Sequence, residues 1–143
     1  MDLEKELIDI INNFNMKKQV EIAILFGSQA RGDCDKNSDV DLAFLFEKQF
    51  LKNKNALEFR SELISFFSSK IKKECDVILI NQAPPLLKYQ IVKYGKKIYK
   101  DINFDYNSFF SLTLKEYFDF KYYQDFHNKR LMKRIKEGGS AGG

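Results

Sequence analysis

Two apolar runs constrain this chain more than any other feature. Val20 to Phe26 and Val40 to Phe46 are each broken by a single charge, Glu21 in the first and Asp41 in the second. A membrane-spanning helix needs about 20 apolar residues, and both runs are far too short for one. Each is bounded by Gly or polar residues, as a short strand is. Strands wet on one face alternate apolar and polar residues, whereas near-continuous apolar runs belong to buried strands. The chain is therefore expected to build a sheet around these two segments.

The remaining periodicities supply helices and one further strand. Leu3, Leu7, Ile10, Ile11 and Phe14 recur at helical spacing, and Leu57, Ile64, Phe67 and Ile71 share one helical stripe. Val77 to Ile80 reads as a third strand. Pro84 and Pro85 stand where a helix opens, Leu86, Leu87, Ile91 and Val92 continue it, and Gly95 can end it. A long aromatic-rich helix is expected to fill much of Ser108 to Lys136. Alternating strands and helices give an α/β chain with α+β character. Residues 1–137 form one domain in this reading, and residues 138–143 form a flexible Gly/Ser tail.

Composition removes several classes of function. Hydrophobic residues make up 44% and charged residues 31%, a balance that supports a packed core rather than disorder. Cys34, Cys75 and His127 are too few to build a four-ligand zinc site, and His127 has no catalytic signature around it. The thiols are expected to be free. No signal peptide or membrane span is evident, so a cytoplasmic protein is expected. A net charge of +4 is too weak to argue nucleic-acid binding. The cluster Lys129, Arg130, Lys133, Arg134 and Lys136 reads as a solvated helix face.

Three features carry chemistry. Gly27 and Ser28 follow the first apolar run, where a glycine lets backbone approach a phosphate and a hydroxyl can donate to it; such a pair is also an ordinary turn. Asp39-Val40-Asp41 opens the second run. Carboxylates at i and i+2 of a strand project from one face and repel unless a cation lies between them, although the same pattern is common in solvated loops. Magnesium is usually held by one or two carboxylates together with substrate phosphates. Asp76 opens the third strand and would join the pair if that strand lies beside the second; otherwise it is a plain strand-end residue. A calcium loop through Asp33, Asp35, Asn37 and Asp39 fails, because Ser38 and Phe44 occupy positions that require Gly and Glu.

The segment Ile24 to Gly32, followed by Ser38-Asp39-Val40-Asp41-Leu42, resembles the minimal nucleotidyltransferase (MNT-type) family of the DNA polymerase β-like superfamily. The likeness covers roughly residues 20–100. It implies a small mixed sheet backed by helices, ATP or another nucleoside triphosphate as substrate, two Mg²⁺ ions and diphosphate as leaving group. It also implies that Gly27 and Ser28 hold the triphosphate and that Asp39 and Asp41 bind both metals. Asp76 would complete the first metal site and help deprotonate the acceptor. Arg31 would either touch phosphate or brace the loop by pairing with Asp33 or Asp39. Stand-alone chains of this size and pattern resemble antitoxins that attach AMP to a tyrosine of a HEPN-type ribonuclease toxin. Two alternatives stay open: a small-molecule enzyme like the aminoglycoside nucleotidyltransferases, and an antitoxin that acts by binding alone.

The C-terminal aromatics add a partner expectation. Phe104, Tyr106, Phe109, Phe110, Tyr117, Phe118, Phe120, Tyr122, Tyr123 and Phe126 crowd one stretch. At 100° per residue they spread around most of a helix, more than one packed face can absorb. The surplus is expected to be covered by a toxin subunit or by a second copy of the chain.

Overall fold

The structure, a computed structural model, describes residues 2–27 and 39–142. Its centre is a four-stranded mixed sheet in the order β3-β2-β1-β4. β1 is Val20–Phe26, β2 is Val40–Phe46, β3 is Cys75–Leu79 and β4 is Lys96–Lys100. β1 pairs antiparallel with both β2 and β4, while β2 and β3 run parallel.

The two apolar runs are thus the central strands, and their composition follows from being covered on both sides. Against one face pack α1 (Leu3–Asn12) and α3 (Ala56–Ile71), which bring Leu7, Ile11, Phe59, Leu63 and Phe67 onto Leu25, Leu42, Phe44 and Phe46. A short helix, α2 (Lys48–Leu51), precedes α3. Against the other face lie α4 (Pro85–Tyr94) and the start of α5 (Tyr106–Gly142), over Ile22, Ile24, Ala43 and Leu45. Helix α3 also supplies the crossover that parallel β2 and β3 require. Side chains cap both helices of the first layer. Asp2 accepts from the Glu4 amide, and Asn55 accepts from the Glu58 amide.

β3 is an edge strand, and its outer backbone groups are closed by α3. The Cys75 amide donates to Ser68 Oγ at 3.0 Å, and the Val77 carbonyl accepts from Arg60 Nε at 2.6 Å. Beyond β3, the Asn81 side chain pairs with both the amide and the carbonyl of Phe46, imitating a strand partner.

Several details depart from the sequence expectation. The third strand begins one residue before Asp76, and Ile80 belongs to a 3-10 turn. β4 was not expected, because its Lys-Lys-Ile-Tyr-Lys sequence holds only one fully buried residue, Ile98, and so lacks an apolar run. α5 continues through Gly142, into the stretch whose composition suggests a flexible tail. The C-terminal aromatics divide. Phe104, Tyr106, Phe109 and Phe110 pack on the sheet, and Tyr117 stacks on Tyr89 of α4 with centroids 4.0 Å apart. Every described side chain from Phe118 onward is exposed, including Tyr122 at 75% and Tyr123 at 72%. Among the described residues, no helix is long and apolar enough to cross a membrane.

Candidate active site

One end of the sheet gathers the expected acidic residues. There β1 ends while β2, β3 and β4 begin. Asp41 is the second residue of β2, and its register partners are Phe26 on β1 and Asp76 on β3. The two carboxylates therefore sit side by side on neighbouring strands. Alternation puts both on the face that carries Ala43, Leu45 and Ile78. Like charges directly opposite each other weaken a sheet, so the pairing needs a cation to be favourable.

Gly27 closes the site from the β1 side. Its φ is 75°, a left-handed value that glycine adopts freely and other residues rarely do. A Cβ at this position would collide with the Asp41 carboxylate. The end of β1 thus has to be glycine for two reasons, backbone angle and room for the acid. This close approach of main chain to carboxylate is what a shared metal–phosphate site needs.

Asp76 is held in place rather than free. Its Oδ1 accepts from Arg60 Nη2 at 2.7 Å and from the Val77 amide at 2.9 Å. Arg60 and Asp76 side chains are 40% and 47% exposed, so the pair lies at the rim of the site. Next to Asp76 in β3, the Cys75 thiol lies in the core and is pushed up to about 12, first by burial and then by the charges of Asp41 and Asp76. A thiol so placed stays protonated and unreactive.

Asp39 lies just outside the β2 ladder and is exposed. Among the described residues, no group of three Cys, His, Asp or Glu side chains stands ready to hold a metal alone. Of the three acids read from the sequence, register brings Asp41 and Asp76 together, and Asp39 is exposed just before β2. The donor set nonetheless fits a hard divalent ion. It is all oxygen, Asp41 and Asp76 are adjacent, and the remaining ligands of such an ion normally come from substrate phosphates and water. Ser28 and Arg31 lie outside the described residues.

Sequence reasoning missed three cations at this end of the sheet. Arg60 reaches Asp76 from α3, and nothing in the helical stripe around it signals that contact. Lys96 and Lys97 open β4 opposite Leu25 and Ile24, with Lys97 Nζ 3.9 Å from the Tyr106 ring centroid. Their place beside the end of β1 depends on a strand that has no apolar signature.

Comparison with known proteins agrees with this geometry. Residues 8–103 match the family model described as Polymerase beta, Nucleotidyltransferase. The chain belongs to that family. Among curated relatives, the protein adenylyltransferase MntA of Aphanizomenon flos-aquae is 25% identical over 99 residues, covering 63% of each chain. A candidate protein adenylyltransferase of Methanocaldococcus jannaschii is 42% identical over 59 residues, covering 36% of this chain and 60% of that one. The matches thus span about three fifths of those relatives' lengths. Among solved structures, a toxin–antitoxin crystal structure with AMP-PNP aligns with a TM-score of 0.72 at 22% identity, covering 91% of this chain and 98% of that one. A chain of the complex between tri-AMPylated Shewanella oneidensis HEPN toxin and MNT antitoxin aligns with a TM-score of 0.65 at 21% identity, covering 90% and 95%. At these identities the likeness establishes a shared nucleotidyltransferase fold.

Proposed function

We propose that this protein transfers AMP from ATP to a tyrosine hydroxyl of a HEPN-type ribonuclease toxin, acting as the antitoxin of the pair. The observation that carries the reading is the in-register placement of Asp41 beside Asp76, with the left-handed Gly27 against the Asp41 carboxylate. Support for the acceptor comes from relatives named as protein adenylyltransferases and from the fold shared with chains of toxin–antitoxin structures.

In the reaction, the tyrosine oxygen bonds to the α-phosphorus of ATP as the bond from that phosphorus to the β-phosphate bridging oxygen breaks. Diphosphate leaves, and the hydroxyl proton passes to Asp76 or to water beside it. Asp39, Asp41 and Asp76 would hold two Mg²⁺ ions, which supply an acidified hydroxyl and charge neutralisation of the leaving group. Gly27 lets main chain come close to the triphosphate, Ser28 donates to it, and Arg31 braces or contacts it. The register of β2 with β3 and the Arg60 bond to Asp76 limit the rearrangement needed at the moment of reaction.

The toxin would dock on the projecting half of α5. Phe118, Tyr122, Tyr123 and Phe126 are exposed there, and aromatic side chains dominate the energetics of protein interfaces. Residues 121–137 carry six Lys or Arg and two Asp or Glu, a net of +4, which equals the net charge of the whole chain. The rest of the molecule is therefore neutral overall, and the projecting helix suits an acidic partner surface.

The test uses α-labelled ATP, Mg²⁺ and a HEPN protein encoded beside this chain. Label should enter the HEPN protein on tyrosine, disappear with EDTA and return with Mn²⁺. Replacing Tyr122 and Tyr123 with Ser should reduce labelling of the partner roughly tenfold or more while nucleotide binding persists. Label transfer that survives chelation overturns the metal-dependent mechanism. Tight association without any transfer would instead favour an antitoxin that acts by binding alone.

A further inference from the structure

The proposed reaction asks one carboxylate, Asp76, to present a defined oxygen to a metal ion and an acceptor hydroxyl. A carboxylate on an edge strand has no reason to hold still. Its terminal torsion is broad, and in β3 only one side of the strand is paired to a neighbour. The structure supplies a restraint from α3. Arg60 donates through Nε to the Val77 carbonyl at 2.6 Å and through Nη2 to Asp76 Oδ1 at 2.7 Å. The Val77 amide adds a third contact, also to Oδ1, at 2.9 Å. Among the described residues, both bonds to this carboxylate fall on the same oxygen, and Oδ2 accepts neither of them.

We propose that Arg60 is a positioning residue for Asp76: its planar fork ties the carboxylate to the β3 backbone by one oxygen and leaves the other for the catalytic cation. The inference rests on the function proposed above and extends it to a residue outside the carboxylate motif. Only arginine fits the task well. Its donors are fixed relative to one another, so the bond to the Val77 carbonyl sets the direction of the bond to Asp76. Lysine would bring charge without a rigid fork. The bond to the Val77 carbonyl matters as much as the one to Asp76, because it makes the backbone of the catalytic strand the reference point.

A rival reading shares every distance. Arg60 could merely neutralise Asp76 until a metal arrives, and would then compete with that metal. The two readings predict opposite signs. Removing a positive charge beside a cation site should tighten metal binding if charge is all that matters. Removing an orienting partner should weaken it, typically by about 10–100-fold in metal affinity or activity for residues of this kind.

The experiment is a Mn²⁺ titration followed by electron paramagnetic resonance, with a non-hydrolysable ATP analogue present, on wild type, Arg60→Met and Arg60→Lys. Arg60→Met should weaken Mn²⁺ binding about tenfold, and Arg60→Lys should fall between it and wild type. In turnover, kcat should drop while KM for ATP stays within about twofold, because the triphosphate is held from the β1 side. Arg60 is partly exposed, so thermal melting should stay near wild type, and Arg60→Lys gives a second reading if Arg60→Met folds poorly. Equal or tighter Mn²⁺ binding in folded Arg60→Met overturns the positioning role and leaves Arg60 as a charge placeholder. A wild-type chain that binds no Mn²⁺ with the analogue overturns the metal-dependent function itself, and this role with it.

Discussion

Both ends of the sheet gather acidic side chains, but only one end has the geometry of the proposed site. At the start of β2 and β3, Asp41 and Asp76 are adjacent by register, a left-handed glycine faces one of them, and a guanidinium ties down the other. At the opposite end, Glu21 near the start of β1 meets Glu47 after β2 and Asp101 after β4. There the acids act on one another. Burial first, then the charges of Glu47 and Asp101, pushes the Glu21 carboxyl above its ordinary range. A cluster of carboxylates is therefore not the signature of the chemistry here. The difference lies in what accompanies the acids: a backbone that approaches one closely and a cation that fixes another.

The largest expected effect tests that difference directly. Asp41→Asn should lower AMP transfer by roughly 10³-fold, about 4 kcal/mol of transition-state stabilisation, while the fold persists. Glu47→Gln at the far end should leave transfer within about twofold. The readout is the initial rate of label transfer under saturating ATP. Comparable losses at both ends would show that the whole sheet's negative field matters, rather than the registered pair.

A smaller effect concerns the glycine. Gly27→Ala forces a Cβ against the Asp41 carboxylate and puts alanine at a φ of 75°. The left-handed angle alone costs about 1–2 kcal/mol for an L-residue. Chemical denaturation should show at least that loss, and transfer should fall further because Asp41 must move. A variant of unchanged stability and activity would mean that β1 ends in a looser turn, and the comparison between the two ends would lose one of its supports.

How much of this was legible in the sequence follows from where each signal resides. β1 and β2 were plain because strands covered on both faces are apolar throughout, and the bounds read from the residues match those observed. Asp41 and Gly27 stood out as candidates because a compound motif surrounds them. β4 was not, since an edge strand with one fully buried residue, Ile98, leaves almost no periodicity. Arg60 was invisible for a different reason. It lies on a helix that packs against the sheet, and its partner is 16 residues away on the neighbouring strand. Only the parallel crossover brings the two together, and no local pattern encodes that meeting. The aromatic surplus of α5 was readable, but not the point along the helix where burial stops.

The smallest effect lies at the far end of the sheet, and its sign is fixed by linkage. The Glu21 carboxyl is raised from 4.5 in the folded protein, so the native state holds its proton more tightly than the unfolded chain does. Well below pH 4.5 both states are protonated and Glu21 contributes no penalty. As pH climbs through 4.5 the unfolded chain ionises while the native state keeps its proton, so stability falls until pH passes the raised folded value. Glu21→Gln removes that ionisation. Much of the group is open to solvent, so screening keeps the gain small, a few tenths of a kcal/mol at neutral pH. Paired denaturant melts of wild type and Glu21→Gln should separate at pH 7 and converge below about pH 4. A gap of the same size at both pH values would mean that the glutamine repacks the site instead of relieving repulsion. A variant less stable than wild type at pH 7 would show that Glu21 earns its charge through a favourable contact. The two ends of the sheet would then be more alike than the geometry indicates.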